Sequence, residues 1–285
     1  MLTISDLVVQ FDAFRAVDGL SLTVPTGSLF GLLGPNGAGK TTTLHCVTGL
    51  NTAFEGSIHI DGLNPITDYT EVRRRIGLVP QKIALYEDLS VLDNLKTFAA
   101  LYGLRGRNFS ERIDWGIELS QLMEKRTVKV AALSGGMKRR LNMACSLLHD
   151  PMVIICDEPT TGVDPQSRNH LFETIRQLHG EGRTVIYTTH YMEEVEALCD
   201  SVAIMDRGQC IATDRLDSLL ASASDRTHMQ ITHDGTTDVG AIQDALTAAG
   251  IHAAITPQTP SLEQVFLNLT GRALRDGSPA EVPHD

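Results

Sequence analysis

Gly34-Pro35-Asn36-Gly37-Ala38-Gly39-Lys40-Thr41-Thr42 is the stretch that decides how this chain folds. It fits the pattern G-x-x-x-x-G-K-[ST], whose meaning depends on what flanks it. Before it, Leu29 to Leu33 is an apolar run of buried-strand length; after it, Thr43, Leu44, Val47 and Leu50 recur at helical spacing. A strand, a glycine-rich turn and a helix in that order make an anion cradle. Glycines let the backbone curl so that successive N–H groups point inward, and the helix N-terminus adds the positive end of its dipole. Lys40 would set a point charge on the β- and γ-phosphates of a nucleotide, and the Thr41 hydroxyl would bind Mg²⁺. A turn that binds nothing needs neither residue. The loop alone predicts nucleoside triphosphate binding and does not separate a kinase, a GTPase and a motor.

Upstream, Leu2, Ile4, Leu7 and Val9, then Val17, Leu20, Leu22 and Val24, alternate as antiparallel strands do. Phe11 and Phe14 lie between the two sets. Either could pack in the core, or serve as a platform on which an adenine stacks. Downstream, Gly56 to Gly62 is a strand and turn, and Ile76 to Val79 is a β run stopped by Pro80 ahead of Gln81. Ser90-x-x-Asp93 caps a helix with Val91, Leu95, Phe98 and Tyr102 on one face. The spacing of Ile113, Ile117, Leu119 and Leu122 predicts helix onward to Lys129. Ser134 would cap another, with Met137, Leu141, Ala144 and Leu148 on one face. Val153 to Cys156 is a continuous apolar run ending in Asp157-Glu158, as a central parallel strand would be. Thr184 to Thr189 is a further run ending in His190, and Ser201 to Met205 another.

At Ala221 to Ser224 the composition turns small and polar, the mark of a linker. A β-α-β-α pattern follows: Met229 to Thr232, Val239 to Ala249, Ile251 to Ile255, and a helix from Ser261 with Leu262, Val265, Phe266 and Leu269 as its apolar stripe. The chain therefore divides into residues 1–220, with a helical insert at about 82–150, a small C-terminal α+β domain at 221–276, and a disordered tail at 277–285.

The 285 residues carry a net charge of −11, which disfavours a nucleic-acid partner. No apolar run reaches the ~18–20 residues that span a bilayer, and Met1 to Asp6 lacks the features of a signal peptide. A cytoplasmic protein is expected. The five cysteines are scattered without C-x-x-C spacing, which predicts neither disulfides nor a metal site.

A cradle for the phosphates, Asp157 for Mg²⁺ and an adjacent Glu158 to activate water make an ATP hydrolysis site. At this point residues 1–220 closely resemble an ATP-binding cassette (ABC) transporter ATPase. The most specific element is Leu133-Ser134-Gly135-Gly136-Met137, similar to the family's L-S-G-G-Q signature with Met137 in place of Gln. The Met form, and the stretch Ser261 to Gly271, look like the branch powering ABC-2 type multidrug and lipo-oligosaccharide exporters. Gly162-Val163-Asp164-Pro165 is similar to the family's D-loop, and His190 to its switch histidine. Gln81 is similar to its Q-loop glutamine, and Phe11 takes the place of its adenine-stacking aromatic.

The resemblance implies an α/β P-loop NTPase fold: a RecA-like core, an antiparallel β subdomain and a helical insert, plus the C-terminal appendage. It implies ATP with Mg²⁺ held by Thr41, Gln81 and Asp157. Catalysis would fall to Glu158, His190, Gln81 and Lys40. Gly34 to Thr42 would hold the nucleotide, and Ser134, Gly135 and Gly136 would close on the γ-phosphate bound by a second subunit. The second subunit would be the same chain or a paralogue. The pair would sit on the inner face of the membrane through permease subunits. Just after Gln81, Leu85 and Tyr86, if exposed beside Leu89, would give an apolar groove for a short helix of the membrane subunit; otherwise they pack the insert onto the core. Two other classes stay open: a non-transport ABC ATPase acting on a macromolecule, and a small-molecule kinase, which leaves the signature unexplained.

Overall fold

The structure, a computed structural model, describes residues 1–222 and 239–248 together with Leu262, Val265, Phe266 and Leu269. Strands β1 (Leu2–Phe11) and β2 (Phe14–Val24) pair antiparallel, and their alternating apolar residues point to one core. The alternation slips between Ile4 and Leu7, where the register shifts and Asp6 takes a φ of 48°. A bulge there keeps both residues on the buried face. Strand β3 (Leu29–Leu33) runs through the loop into α1 (Lys40–Val47), and β4 (Glu55–Ile60) returns to pair with β1, giving the order β2-β1-β4.

Helix α2 (Tyr69–Arg75) leads to β5 (Ile76–Val79). Three helices follow: α3 (Val91–Leu101), α4 (Gly106–Ser120) and α5 (Gly135–Ser146). They share a core of their own, which includes Val91, Leu95, Ile113, Ile117, Leu141 and Leu148. The chain then runs β6 (Val153–Asp157), α6 (Pro165–Gly180), β7 (Thr184–Thr189), α7 (Met192–Leu198), β8 (Ser201–Asp206) and β9 (Gln209–Arg215). The second sheet is ordered β5-β6-β7-β3-β8-β9, parallel except for β9. Every residue of β3, β6 and β7 is buried, as strands covered on both faces require. Because these strands are parallel, the segments leaving them emerge at one edge of the sheet. Gly34 to Lys40, Asp157-Glu158 and His190 therefore meet.

Sequence and structure differ in several places. The helical character expected to continue to Lys129 is interrupted twice. Gly103, with φ 75°, ends α3 in a Schellman turn, with its N–H on Ala100 O at 2.9 Å and the Leu104 N–H on Ala99 O at 3.0 Å. Gln121, with φ 53°, ends α4, and only 3₁₀ turns at Met123–Lys125 and Val130–Ala132 follow. Tyr102 lies off the apolar face and stacks on His149, ring centroids 4.1 Å apart. Helices α2, α6 and α7 and strand β9 stand where no element was expected.

The segment after β5 is gripped by α5 at three points. Arg139 Nη1 donates to Pro80 O at 3.0 Å, Asn142 Oδ1 accepts from Ala84 N at 2.9 Å, and Lys138 Nζ donates to Glu87 Oε1 at 2.6 Å.

The chain separates into two compact units that meet at Leu216 and Asp217, four residues before the expected boundary. Ala221 and Ser222 complete α8 (Leu216–Ser222) where a linker was expected. In the second unit, α9 (Val239–Ala248) matches the predicted helix. Leu262, Val265 and Phe266 are buried as predicted, whereas Leu269 is 49% exposed and drops out of the stripe. The two predicted strands, the Ser261 cap and the tail lie outside the described residues. Among the described residues no helix is long and apolar enough to cross a membrane.

Candidate active site

The loop packs too tightly for side chains where its glycines approach other backbone. A Cβ on Gly34 would meet Met205 O at 2.3 Å. Lys40 opens α1, is 4% exposed, and folds back over the loop. Its Nζ donates to Gly34 O at 2.7 Å and Pro35 O at 3.1 Å, and pairs with Glu158 Oε1 at 3.2 Å. Burial lowers the Lys40 pKa, opposed by the charges of Glu158 and then Asp157. A cleft of about 190 Å³ lies over the loop. Asn36, Gly37, Gly39, Lys40, Thr41 and Thr42 line it with Gln81 and Glu158, while Ala38 is buried beneath.

Asp157 and Glu158 end β6 and are both buried. Asp157 Oδ1 accepts from Thr41 Oγ1 at 3.2 Å and Thr188 Oγ1 at 2.7 Å. Glu158 adopts a φ of 41°, rare for a residue with a side chain and the kind of strain that gathers at functional sites. Its backbone N–H donates to Thr188 Oγ1 at 3.0 Å, which holds the turn. Four side chains then reach one carboxylate. Lys40 is on Oε1; on Oε2, Gln81 Nε2 donates at 3.0 Å, Thr161 Oγ1 donates at 3.4 Å, and His190 Nδ1 lies 3.4 Å away without a hydrogen bond.

The Thr41 hydroxyl and Asp157 carboxylate form an all-oxygen pair at the mouth of the loop. That donor set suits Mg²⁺, which takes one or two protein oxygens and leaves the rest to phosphate and water. Gln81, the third residue expected at the metal, makes its contact with Glu158 instead.

The remaining predicted residues do not line this cleft. Ser134 caps α5, its Oγ accepting from Met137 N at 3.3 Å, and Ser134 and Gly135 are exposed. Gly136 is buried against α6, where an added Cβ would meet Ser167 Oγ at 2.0 Å. Asp164 caps α6 through Ser167 N at 2.9 Å. Phe11 and Phe14 end their hairpin at 53% and 63% exposure, so neither packs in the core. Thr160, Thr188, Thr189 and Glu194 make contacts around the site that the sequence did not single out. The three threonines are hydroxyl residues in or beside apolar runs, and Glu194 is one of several acids in α7.

The ABC transporter family model matches residues 17–161. The chain is 38% identical to linearmycin resistance ATP-binding protein LnrL of Bacillus subtilis, covering 97% of this chain and 100% of that one. It is 36% identical to Nod factor export ATP-binding protein I of Ralstonia nicotianae, covering 97% and 95%. A solved structure of the ATP-binding subunit of an ABC transporter superposes with a TM-score of 0.74 at 26% identity, covering 95% of this chain and 99% of that one. These likenesses favour the exporter over the non-transport ATPase and over the kinase. The chain belongs to the ABC transporter family, as an ATP-hydrolysing, energy-coupling subunit of the exporter type.

Proposed function

We propose that Glu158 is the general base for ATP hydrolysis, that Lys40 binds the β- and γ-phosphates, and that Thr41 and Asp157 hold Mg²⁺. The observation that carries this is the convergence of Lys40, Gln81 and His190 on the one Glu158 carboxylate beside the loop. Phosphate oxygens entering the cleft would replace Gly34 O, Pro35 O and Glu158 as acceptors for Lys40. Glu158 Oε1 is then free to take a proton from the attacking water. Gln81 and Thr161 hold the other oxygen and fix the direction of the carboxylate, with His190 beside it. Mg²⁺, held by Thr41 and Asp157, would supply positive charge against the negative charge that develops on the phosphates. Phe11, exposed at its hairpin, would stack on the adenine.

Ser134 and Gly135 face outward at a helix N-terminus, away from the cleft, which supports a sandwich in which they close on the nucleotide of a second subunit. A Cβ at Gly135 meets nothing within 4 Å, so Gly135→Asp tests that surface without disturbing the fold. In light scattering with Mg-ATP, Glu158→Gln is expected to dimerise. Glu158→Gln with Gly135→Asp is expected to bind ATP and stay monomeric, because a carboxylate meets the γ-phosphate. A dimer of the double variant would end the sandwich.

Permease subunits would hold the pair at the inner face of the membrane. Tyr86 is half exposed, while Leu85 and Leu89 are half-buried, so Tyr86 would carry most of the docking contact. Tyr86→Asp is expected to keep the ATPase activity of the isolated subunit and to lose co-purification with the permease. A lowered melting temperature with lost ATPase would make Tyr86 a packing residue.

A further inference from the structure

Helix α7 carries a carboxylate that the chemistry above does not use. Glu194 is 2% exposed. Its Oε1 accepts from Thr160 Oγ1 at 2.7 Å, and its Oε2 accepts from Tyr187 Oη at 2.9 Å and Thr189 Oγ1 at 2.7 Å. All three donors are neutral hydroxyls, and no ion pair among the described residues includes Glu194. Burying a carboxylate without a cation is costly. An apolar cluster of the same volume would serve stability as well or better. Packing alone does not account for the charge.

The placement of the donors does. Thr160 lies two residues after Glu158, in the segment that leaves the strained turn. Thr189 is the residue before His190, and its Oγ1 also accepts from Tyr191 N at 3.0 Å. One planar carboxylate therefore ties the chain just past Glu158 to the chain on both sides of His190. The third donor, Tyr187, is braced edge-on by Phe172 with centroids 6.4 Å apart. With both segments fixed to the same two oxygens, neither can slide without breaking a buried charge-assisted bond.

We propose that Glu194 is a positioning residue for hydrolysis, setting the separation of His190 from the Glu158 carboxylate without touching the nucleotide. The inference rests on the roles given above to Glu158 and His190.

Thr189→Val keeps volume and strand preference while removing one arm of the tie, and Glu194→Ala removes the whole. Both are expected to lower kcat by about 10- to 100-fold, the usual cost of misplacing a catalytic group by an ångström. The KM for ATP and the affinity for ATP should stay as in the wild type. Glu194→Gln, with two polar atoms in the same places, should recover to within a few-fold of wild type. In a His190→Ala background, Thr189→Val should cost less than a further twofold, because the residue it positions is gone. A kcat for Thr189→Val within twofold of wild type overturns the proposal. So does an undiminished loss on top of His190→Ala. Glu158→Gln is assayed alongside. If it is inactive while Thr189→Val is normal, only the positioning role fails; if it turns over normally, the reading beneath fails too.

Discussion

Lys40→Ala is expected to cut steady-state phosphate release by at least about 10²–10³-fold, the scale of losing one preorganised charged donor to a developing negative charge. Nucleotide affinity should fall with it. Among the described residues Lys40 is the only side-chain cation lining the cleft, and its ammonium is already drawn over the loop by Gly34 O and Pro35 O. The backbone N–H groups of the loop remain, which leaves residual binding. Phosphate release measured beside nucleotide binding by calorimetry checks both parts. Wild-type turnover in Lys40→Ala would remove the assignment of this cleft as the site of hydrolysis.

Glu158→Gln should separate binding from chemistry. Glutamine keeps the length of the side chain and an oxygen for Gln81 or Lys40 but cannot accept a proton, so hydrolysis should slow by about 10²–10⁴-fold while ATP stays bound. Lys40 loses its charged partner in this variant, which should favour phosphate as its acceptor. Tighter rather than weaker ATP binding is therefore expected. Single-turnover hydrolysis alongside ATP binding decides it: normal turnover excludes Glu158 as the base.

Much of the fold was legible because local rules and tertiary packing agree. The glycine-rich loop between an apolar run and a helical pattern could be little else, and Ser90 and Ser134 cap α3 and α5 as their spacing implied. What stayed hidden is set by partners distant in sequence. Thr188 reads as an ordinary strand residue until β6 and β7 pair, which sets its hydroxyl on Asp157. Glu194 looks like one more acid on a short helix until Thr160, 34 positions earlier, donates to it. The break at Gly103 was visible as a glycine, but helical spacing resumes beyond it and hid the turn. Phe11 needed the hairpin itself, since exposure at a strand end depends on what lies opposite. Strand β9 has exposed or half-buried positions throughout, so it carries no strong apolar signal.

The three-point grip of α5 on the stretch after β5 makes a lever of that helix. Its first turn carries Ser134 and Gly135; its side chains hold the backbone on both sides of Gln81, through Pro80 O and Ala84 N. Tilting the helix therefore tilts the glutamine, and Glu87, held by Lys138, goes with them close to Tyr86. In the proposed sandwich the same rigid arm would touch the neighbour's nucleotide at one end and the permease surface at the other. A push from the membrane and a pull from the second ATP would then arrive as one rotation, and each subunit would sense its partner's occupancy through its own grip on the permease.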